Sequence, residues 1–368
     1  MAGIYVHIPF CKSKCSYCDF ASFPDKIGFA ESYMACVYRE MAMRREELKS
    51  RTFDTLYIGG GTPSVIDENY IAMLVAAVKK NFNLSDGAEI TIEMNPGTVS
   101  AKKIETYLKC GINRFSVGLQ SAIDSQLQDL GRIHNLKEFL LCAKLLKGRN
   151  FSVDVMIGLK NQSIADIEKT IETAAYSGAK HISMYALTPE DGTPIYTDYL
   201  NGELPDSDVV AEMYAAGVKK LKELGFDRYE VSNFCKKGFE SRHNLNYWRR
   251  GEYIGFGVSA SSCINDIRLT NTFDLDEYFK CILSNHFAVI NSENIDKEGR
   301  EEEFIMLALR TAKGLNLKEY EEYFERDFLE KYGDKIQKVR EYVEVSGDFF
   351  RIKDEYLFVQ NQIILQFI

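Results

Sequence analysis

The sequence predicts an α/β fold in which short strands alternate with amphipathic helices through six βα units. Apolar or alternating segments predict strands at residues 4–8, 54–58, 88–93, 113–117, 151–157 and 180–186. Segments with a helical repeat of apolar residues predict helices at about 29–49, 68–82, 100–110, 136–148, 163–177 and 206–224. Six such units in a row favour a parallel sheet with right-handed crossovers. Periodicity alone leaves two arrangements open, a partly closed barrel and a doubly wound sheet.

The composition is that of a soluble globular protein with more than one folding unit. The chain has 368 residues, of which 45% are hydrophobic and 27% are charged, and this length exceeds one average domain. The longest near-continuous apolar run, at 71–78, is far shorter than a membrane span, and no charged and then apolar leader follows Met1. We therefore expect a cytoplasmic protein with no transmembrane segment. The formal charge of −9 disfavours nucleic acid as the primary partner.

Three regions are predicted along the chain. Residues 1–225 contain the βα units, 226–290 form an extension and connecting segment, and 291–368 form a smaller, mainly helical, winged-helix-like domain. In the last region the pattern predicts helices at 298–311, 317–328 and 333–343 and a hairpin of 349–352 with 356–359. Because this region is rich in Glu and Asp, we expect an accessory domain that covers the mouth of the larger domain or docks a partner, rather than one that binds nucleic acid.

A cysteine motif follows the first predicted strand directly. Cys11, Cys15 and Cys18 have the spacing C-x3-C-x2-C, which chance would produce only about 0.005 times in a chain of this cysteine content. Three thiolates can bind three irons of a cubane [4Fe–4S] cluster and leave the fourth iron open to another ligand. Zinc is the competing interpretation, but zinc normally needs a fourth Cys or His close by. His7 is near, yet its place in an alternating strand favours a structural histidine.

Unusual residues lie in the loops that follow the strands rather than in those that precede them. Ligand sites in α/β folds lie at the carboxyl ends of the strands, because successive loops converge there. The loop Gly59–Pro63 offers backbone N–H and C=O groups without side chains, although a tight turn explains it equally well. It has no following Lys, which disfavours a nucleotide P-loop. Glu93 ends a strand where a carboxylate can accept hydrogen bonds from ribose hydroxyls, or where it is simply solvated.

Taken together, these motifs resemble the radical S-adenosylmethionine (SAM) superfamily. The resemblance rests on the cysteine motif with Tyr17 before its third Cys, the Gly-Gly-Gly-Thr-Pro loop, Glu93 and the six βα units. Four longer segments resemble, more closely, the oxygen-independent coproporphyrinogen III oxidase-like family and its HemW branch of haem chaperones: Ile4–Phe10, Gly118–Ser121, Tyr229–Phe234 and Arg242–Trp248. The resemblance implies a partial (β/α)6 radical SAM barrel in which a [4Fe–4S] cluster binds SAM at its open iron.

The same resemblance assigns site residues. It makes Cys11, Cys15 and Cys18 the cluster ligands. It places nine residues around SAM: Tyr5, Tyr17, Gly60, Gly61, Thr62, Glu93, Gln120, Arg132 and Asp154. These residue types suit SAM, because Gly and Thr can meet the methionyl amine and carboxylate, the acids can accept from hydroxyls, and Gln and Arg can donate to carboxylates. Taken alone, each residue also has a simpler interpretation. For example, Gln120 can cap a turn, Arg132 can be a surface cation and Asp154 can accept hydrogen bonds from strand-end amides.

Two features bear on the branch of the family. Phe20 stands where the oxidase branch has a fourth Cys, and a phenyl ring can neither ligate nor donate. The absence of that Cys weakens the case for porphyrinogen decarboxylation. The second feature is the segment His243–Trp248, which contains the only Trp of the chain and matches the H-N-x-x-Y-W pattern of HemW.

The resemblance assigns four residues of this segment to haem: His243, Asn244, Tyr247 and Trp248. Imidazole is a common axial ligand of haem iron, aromatic faces pack on a macrocycle, and neighbouring Arg side chains can pair with propionates. The alternative is an ordinary His and Trp packed between the barrel and the second domain. The sequence does not decide whether His243 binds iron or holds Trp248 in place.

These observations predict a haem chaperone that contains a [4Fe–4S] cluster and SAM and carries haem as cargo. The expected partners are haem-accepting proteins and an electron donor, with transient contact to membrane haem proteins and a cluster-dependent dimer as further expectations. One alternative is a coproporphyrinogen III oxidase that forms protoporphyrinogen IX. The other is a radical SAM enzyme that acts on RNA, which the acidic charge disfavours.

Overall fold

The computed structural model describes residues 2–368 and confirms the α/β fold. Each of the six predicted strands and helices is present, and two short helices, α4 and α7 in the ranges below, are additional. The strands are β1 (Ala2–Ile8), β2 (Thr52–Gly60), β3 (Asn83–Met94), β4 (Arg114–Gln120), β5 (Phe151–Ile157) and β6 (His181–Ala186). The helices are α1 (Ala30–Leu48), α2 (Glu68–Asn81), α3 (Ala101–Cys110), α4 (Asp124–Asp129), α5 (Leu136–Leu145), α6 (Ile164–Tyr176), α7 (Pro194–Leu200) and α8 (Ser207–Glu223).

Strand order distinguishes the two arrangements that the sequence leaves open. β1 to β6 lie side by side in chain order, and each pairs in parallel with the next. A doubly wound sheet reverses its strand order at one point, and this sheet has no such reversal between β1 and β6. The six strands therefore form a partial (β/α)6 barrel.

Side chains alternate along the strands between an apolar outer face and a polar inner face. In β3, Ile90 and Ile92 belong to the apolar core that packs against the helices, whereas Thr91 and Glu93 line a cavity inside the barrel. This cavity, here called the barrel chamber, has a volume of about 400 Å³ and extends from Glu93 at the carboxyl end of the barrel to Asn244 beneath it. Buried polar groups need partners, so a polar interior indicates a place for a ligand rather than a packed core.

Shorter strands extend the barrel sheet at both edges. β8 and then β7 follow β6 in antiparallel pairing, while β9 pairs in parallel with β1 and continues into antiparallel β10, β11 and β12, which gives 12 strands in all. The elements are β7 (Asp227–Arg228), β8 (Asn233–Cys235), α9 (Arg242–Trp248), β9 (Glu252–Phe256), β10 (Ser261–Ile264), β11 (Ile267–Asn271), α10 (Leu275–Leu283) and β12 (Val289–Asn294).

Helix α9 closes the barrel at the end opposite to the cysteine loop. The carboxylate of Glu89 in β3 accepts the backbone N–H groups of Arg242 at 3.2 Å and His243 at 3.0 Å. The hydroxyl of Thr55 in β2 lies 2.7 Å from Nδ1 of His243. A Cβ on Gly3 in β1 would lie 3.2 Å from the His243 ring, so only glycine leaves room for the imidazole. The first three strands therefore position α9 as the floor of the barrel.

The C-terminal region consists of helices and a small antiparallel sheet in the order β13-β15-β14. Its elements are α11 (Lys297–Ala308), β13 (Leu315–Asn316), α12 (Leu317–Phe324), α13 (Phe328–Lys331), α14 (Gly333–Val339), β14 (Val343–Ser346), β15 (Phe349–Ile352) and α15 (Gln360–Ile364). A mainly helical unit with a small sheet agrees with the expected architecture.

The predicted hairpin of 349–352 with 356–359 is wrong in its second strand. β15 pairs instead with the preceding segment, β14, through a two-residue turn at Gly347 and Asp348. Gly347 has φ +61, a conformation that favours such tight hairpin turns. Residues 356–359 lie in a 3₁₀ helix, Asp354–Val359, which buries Leu357. The error arose because the predicted helix at 333–343 extended over the start of β14.

Two main apolar cores lie in different parts of the chain. One includes residues between Ala2 and Ala288, and the other includes residues between Phe304 and Phe367. The boundaries predicted at 225 and 290 remain predictions about folding units. Within residues 2–368, no helix is both long and apolar enough to cross a bilayer.

Candidate functional site

The predicted cluster ligands lie together at the carboxyl end of the barrel strands. Cys11, Cys15 and Cys18 line a cavity of about 160 Å³, here called the cluster cavity. Eight of the nine residues predicted around SAM line the same cavity: Tyr17, Gly60, Gly61, Thr62, Glu93, Gln120, Arg132 and Asp154. The structure thus brings the cysteine loop and the ends of β2 to β5 to one site.

Tyr5 lies beside the cluster cavity rather than in its lining. It lines a neighbouring cavity that also borders Gly60 and Glu93, and its hydroxyl lies 3.0 Å from Nδ1 of His7. Nε2 of His7 lies 2.8 Å from the carbonyl oxygen of Ala21. Both ring nitrogens of His7 therefore have partners within the protein, as expected for a structural histidine.

Backbone hydrogen bonds order the loop that carries the cysteines. The N–H of Cys18 donates to the carbonyl of Cys15 at 3.2 Å, which forms a turn between the second and third cysteines. Ser16 donates to the carbonyl of Leu130 at 3.1 Å and accepts from the N–H of Ile195 at 3.0 Å. Contacts to the segment after α4 and to α7 therefore help to position the thiols.

The loop Gly59–Pro63, here called the glycine loop, approaches Cys11 so closely at Gly61 that no side chain fits at that position. A Cβ on Gly61 would lie 2.9 Å from Sγ of Cys11, and Gly60 has φ +119, a conformation that favours glycine. The hydroxyl of Thr62 lies 3.5 Å from the same sulfur. Backbone groups of this loop therefore lie beside the position of the cluster, where a bound SAM would need donors and acceptors.

The donor set fits a cluster. Among residues 2–368, no three His, Cys, Asp or Glu side chains are close enough to one another to bind a single metal ion. Three thiolates that bind three different irons of a cubane do not need to meet at one point. Cys11, Cys15 and Cys18 line one cavity, so the three thiols are available to different irons of one cubane.

Arg132 and Gln120 provide donors in the lining of the cluster cavity. Nη2 of Arg132 donates to the carbonyl of Gly118 at 2.8 Å, and Nη1 lies 3.5 Å from the Tyr17 hydroxyl and 3.6 Å from Sγ of Cys15. Nε of Arg132 is buried without a partner, and an unpaired buried donor is costly. Gln120 has φ +68, a strained backbone conformation of a kind that clusters at ligand sites. Both side chains therefore fit the carboxylate of SAM.

Glu93 and Asp154 are the acids of the site. Glu93 accepts from the Tyr57 hydroxyl at 2.7 Å and from the N–H of Gly60 at 3.0 Å. Burial, with a smaller contribution from the negative charge of Asp154, raises the pKa of Glu93 to about 7. Burial likewise raises the pKa of Asp154 to about 6. A cationic, hydroxyl-bearing ligand such as SAM would favour the charged form of both groups.

The raised pKa of Glu93 predicts a pH-dependent gain in stability for Glu93→Gln. The carboxyl group of Glu93 has a lower pKa in the unfolded chain than in the folded protein. Its ionisation therefore lowers the stability of the fold as the pH rises from the unfolded pKa to about 7. Without SAM and cluster, we expect the variant to be more stable than the parent protein at pH 8, by on the order of 2–3 kcal/mol, and nearly equal at pH 5. Thermal unfolding at both pH values measures the difference. The exposed Glu212→Gln is the control, and an equal gain at both pH values would contradict the prediction.

The four predicted haem residues do not share one cavity. His243 is buried, and its ring nitrogens lie 2.7 Å from the Thr55 hydroxyl and 3.2 Å from the Tyr247 hydroxyl. Its ring stacks on Tyr57, and Tyr247 packs against it edge-on. Haem iron could reach His243 only if Tyr247 or Thr55 moved, so iron ligation by His243 stays a prediction that requires a change of conformation.

Asn244 and Trp248 of α9 line two different cavities. Asn244 lines the barrel chamber. Trp248 is half-buried and lines a cavity of about 750 Å³, here called the interdomain cleft, between residues 227–249 on one side and 304–349 on the other. The seven residues of α9 therefore separate the barrel chamber from the interdomain cleft.

Three residues of the site were missed at the level of sequence: Thr55, Tyr57 and Glu89. Tyr57 bonds Glu93, whereas Thr55 and Glu89 bind α9. All three are polar residues at alternate positions of strands whose other positions are apolar. That alternation could have predicted them, because in a barrel surrounded by helices the polar residues of each strand face the interior.

Sequence comparisons identify relatives over most of the chain. A family model described as the Radical SAM superfamily matches residues 5–174, and one described as the HemN C-terminal domain matches residues 295–356. The heme chaperone HemW of Haemophilus influenzae is 34% identical over 330 residues, which cover 87% of this chain and 85% of that protein. The heme chaperone HemW of Bacillus subtilis is 33% identical over 332 residues, which cover 89% and 88%.

A solved structure has the same fold. Coproporphyrinogen III oxidase (HemN) from Escherichia coli, a radical SAM enzyme, matches with a TM-score of 0.87 over 100% of this chain and 89% of that one. The sequence identity is 18%, so this likeness shows the fold alone. Its extent includes both the barrel and the C-terminal region.

Proposed function

Because the chain belongs to the HemW family of radical SAM proteins, we propose that it is a haem chaperone that binds haem and transfers it to acceptor proteins. The observation that carries this proposal is the identity to curated heme chaperones, which covers most of the chain. Phe20 supports the same branch, because it is 64% exposed at the mouth of the cluster cavity, where the oxidase branch has a Cys.

The cluster cavity gives the protein its SAM site in this proposal. Cys11, Cys15 and Cys18 bind the [4Fe–4S] cluster, which in radical SAM proteins supplies the electron that cleaves SAM. The glycine loop and Arg132 orient the methionyl group of SAM, and Glu93 and Asp154 accept from its hydroxyls. These residues of the cluster cavity thus hold SAM at the carboxyl end of the barrel, away from α9.

We place the protein in the cytoplasm, where an electron donor would reduce the cluster and haem proteins would receive the cargo. Contact with membrane haem proteins would be transient, and a dimer that depends on the cluster belongs to the same proposal. An oxidase that converts coproporphyrinogen III is the second candidate. The polar barrel chamber is the observation that favours it, because such a chamber can hold a polar substrate beside SAM.

Direct transfer of haem distinguishes a chaperone from a protein that merely binds haem. We expect the rate of transfer from the haem-loaded protein to an apo-cytochrome acceptor to rise with acceptor concentration, because transfer occurs within a complex of the two proteins. Stopped-flow absorbance of the acceptor's Soret band measures this rate, with haem-loaded serum albumin as the control donor. A rate that stays constant at the spontaneous dissociation rate of haem would refute direct transfer.

A further inference from the structure

We propose that the interdomain cleft is the haem-binding site, with Trp248 on the face of the macrocycle and Lys237, Arg249 and Lys313 facing its propionates. This inference rests on the proposed function and names the place at which that function is carried out. It differs from an assignment of haem to His243, because His243 packs against the barrel strands whereas Trp248 lines the cleft.

The shape of the cleft suits a large, flat ligand that must also leave. Its volume of about 750 Å³ falls in the range of pockets for cofactors. Trp248, Tyr229, Phe304 and Phe349 line it and offer aromatic surface to a macrocycle. Trp248 is half-buried and Arg249 is exposed, so a bound ligand would keep one edge accessible to an acceptor protein.

The cleft offers unpaired cations to a ligand with two carboxylates. Lys237, Arg249 and Lys313 line it, are exposed, and have no carboxylate within 4.0 Å in the described residues 2–368. Arg228 also lines it but pairs with Asp354 at 2.8 Å. Three acids, Asp227, Glu240 and Glu319, line the cleft as well. Within residues 2–368 none of them forms an ion pair with Lys237, Arg249 or Lys313, so these three cations are available to pair with propionates.

Contacts between the two walls give the cleft a defined width. The N–H of Ala312 donates to the carbonyl of Tyr229 at 3.0 Å, and Glu230 forms an isolated β-bridge with Thr311. Both contacts join the segment after β7 to the segment after α11. The two walls are therefore joined at these segments, while the three cations of the lining remain exposed.

The other candidate positions for haem are less suitable. Both ring nitrogens of His243 have hydrogen-bond partners, so iron ligation would break the contacts that anchor α9. The barrel chamber shares Glu93, Gln120 and Asp154 with the predicted SAM site, so a macrocycle there would compete with SAM. The interdomain cleft requires neither change.

Two cleft variants test the site. We expect Trp248→Ala to weaken haem binding by about tenfold, because it removes an aromatic face from the lining of the cleft. We expect the triple variant Lys237→Glu, Arg249→Glu and Lys313→Glu to weaken it by at least about tenfold through repulsion of the propionates. Haem titration followed by the Soret band measures both affinities.

Neutral haem and surface controls separate the site from general effects. Haem dimethyl ester lacks the propionate charges, so the triple variant should bind it as the parent protein does. Tyr176→Ala, at a ring that is 77% exposed, and Lys219→Glu on the exposed face of α8 should leave haem affinity unchanged. Unaltered haem affinity in both cleft variants would overturn this inference alone, whereas a parent protein that binds no haem would overturn the proposed function.

Discussion

Replacement of any cluster cysteine by Ser should abolish the iron–sulfur cluster. A hydroxyl is a poor ligand for cluster iron, and among the described residues 2–368 only the thiols of Cys11, Cys15 and Cys18 line the cluster cavity. After anaerobic reconstitution, we expect about four irons per chain in the parent protein and close to none in Cys15→Ser. Iron content and the visible absorption band of the cluster measure the loss.

Cys281→Ser is the matched control for this prediction. Cys281 lies on α10 outside the cluster cavity and is likewise half-buried and unpaired. Its replacement should leave iron content and cluster absorption unchanged. Because the interdomain cleft is separate from the cluster cavity, Cys15→Ser should also retain haem affinity. Full cluster assembly in Cys15→Ser would mean that another ligand replaces it and that the assigned cavity is wrong.

His243→Ala should destabilise the barrel strongly. The substitution removes a ring that stacks on Tyr57 and leaves the hydroxyls of Thr55 and Tyr247 without their partner. Burial of such unpaired groups beside a new cavity costs about 3 kcal/mol. We expect the midpoint of thermal unfolding of the apoprotein to fall by roughly 5–10 °C.

His286→Ala is the control for this destabilisation, because His286 is exposed in the segment after α10. Its midpoint should equal that of the parent protein. The result for His243→Ala also separates two roles. If the variant is less stable and its haem affinity falls only in proportion to the unfolded fraction, the imidazole positions α9. Unchanged stability with loss of haem and a shifted Soret band would show that His243 ligates the iron directly.

The strands and helices of the barrel were predictable because each has a clear repeat. In β3, the apolar Ile90 and Ile92 alternate with the polar Thr91 and Glu93, so the local sequence predicts both the strand and its two faces. The exception in the C-terminal unit has an equally local cause. Gly347 places the turn of the hairpin one strand earlier than the apolar pattern alone indicated.

The candidate site was predictable only in part. The spacing of Cys11, Cys15 and Cys18 indicates their chemistry without any structure, but the residues around SAM are spread over five strands and were identified only by resemblance. The surroundings of α9 could not be predicted. A seven-residue helix presents His243 to the barrel and Trp248 to the interdomain cleft. No helix was predicted over this segment, and without it the spacing of the two residues does not show that they face different sides.

An anaerobic comparison of haem binding with porphyrinogen turnover tests the central claim most directly. The reconstituted protein is incubated with SAM, a reductant and either haem or coproporphyrinogen III, and bound haem and protoporphyrinogen IX are quantified in parallel. The account predicts about one haem bound per chain and no protoporphyrinogen IX above the level of the cluster-free Cys15→Ser variant. Multiple turnovers of coproporphyrinogen III, or no binding of haem, would contradict it.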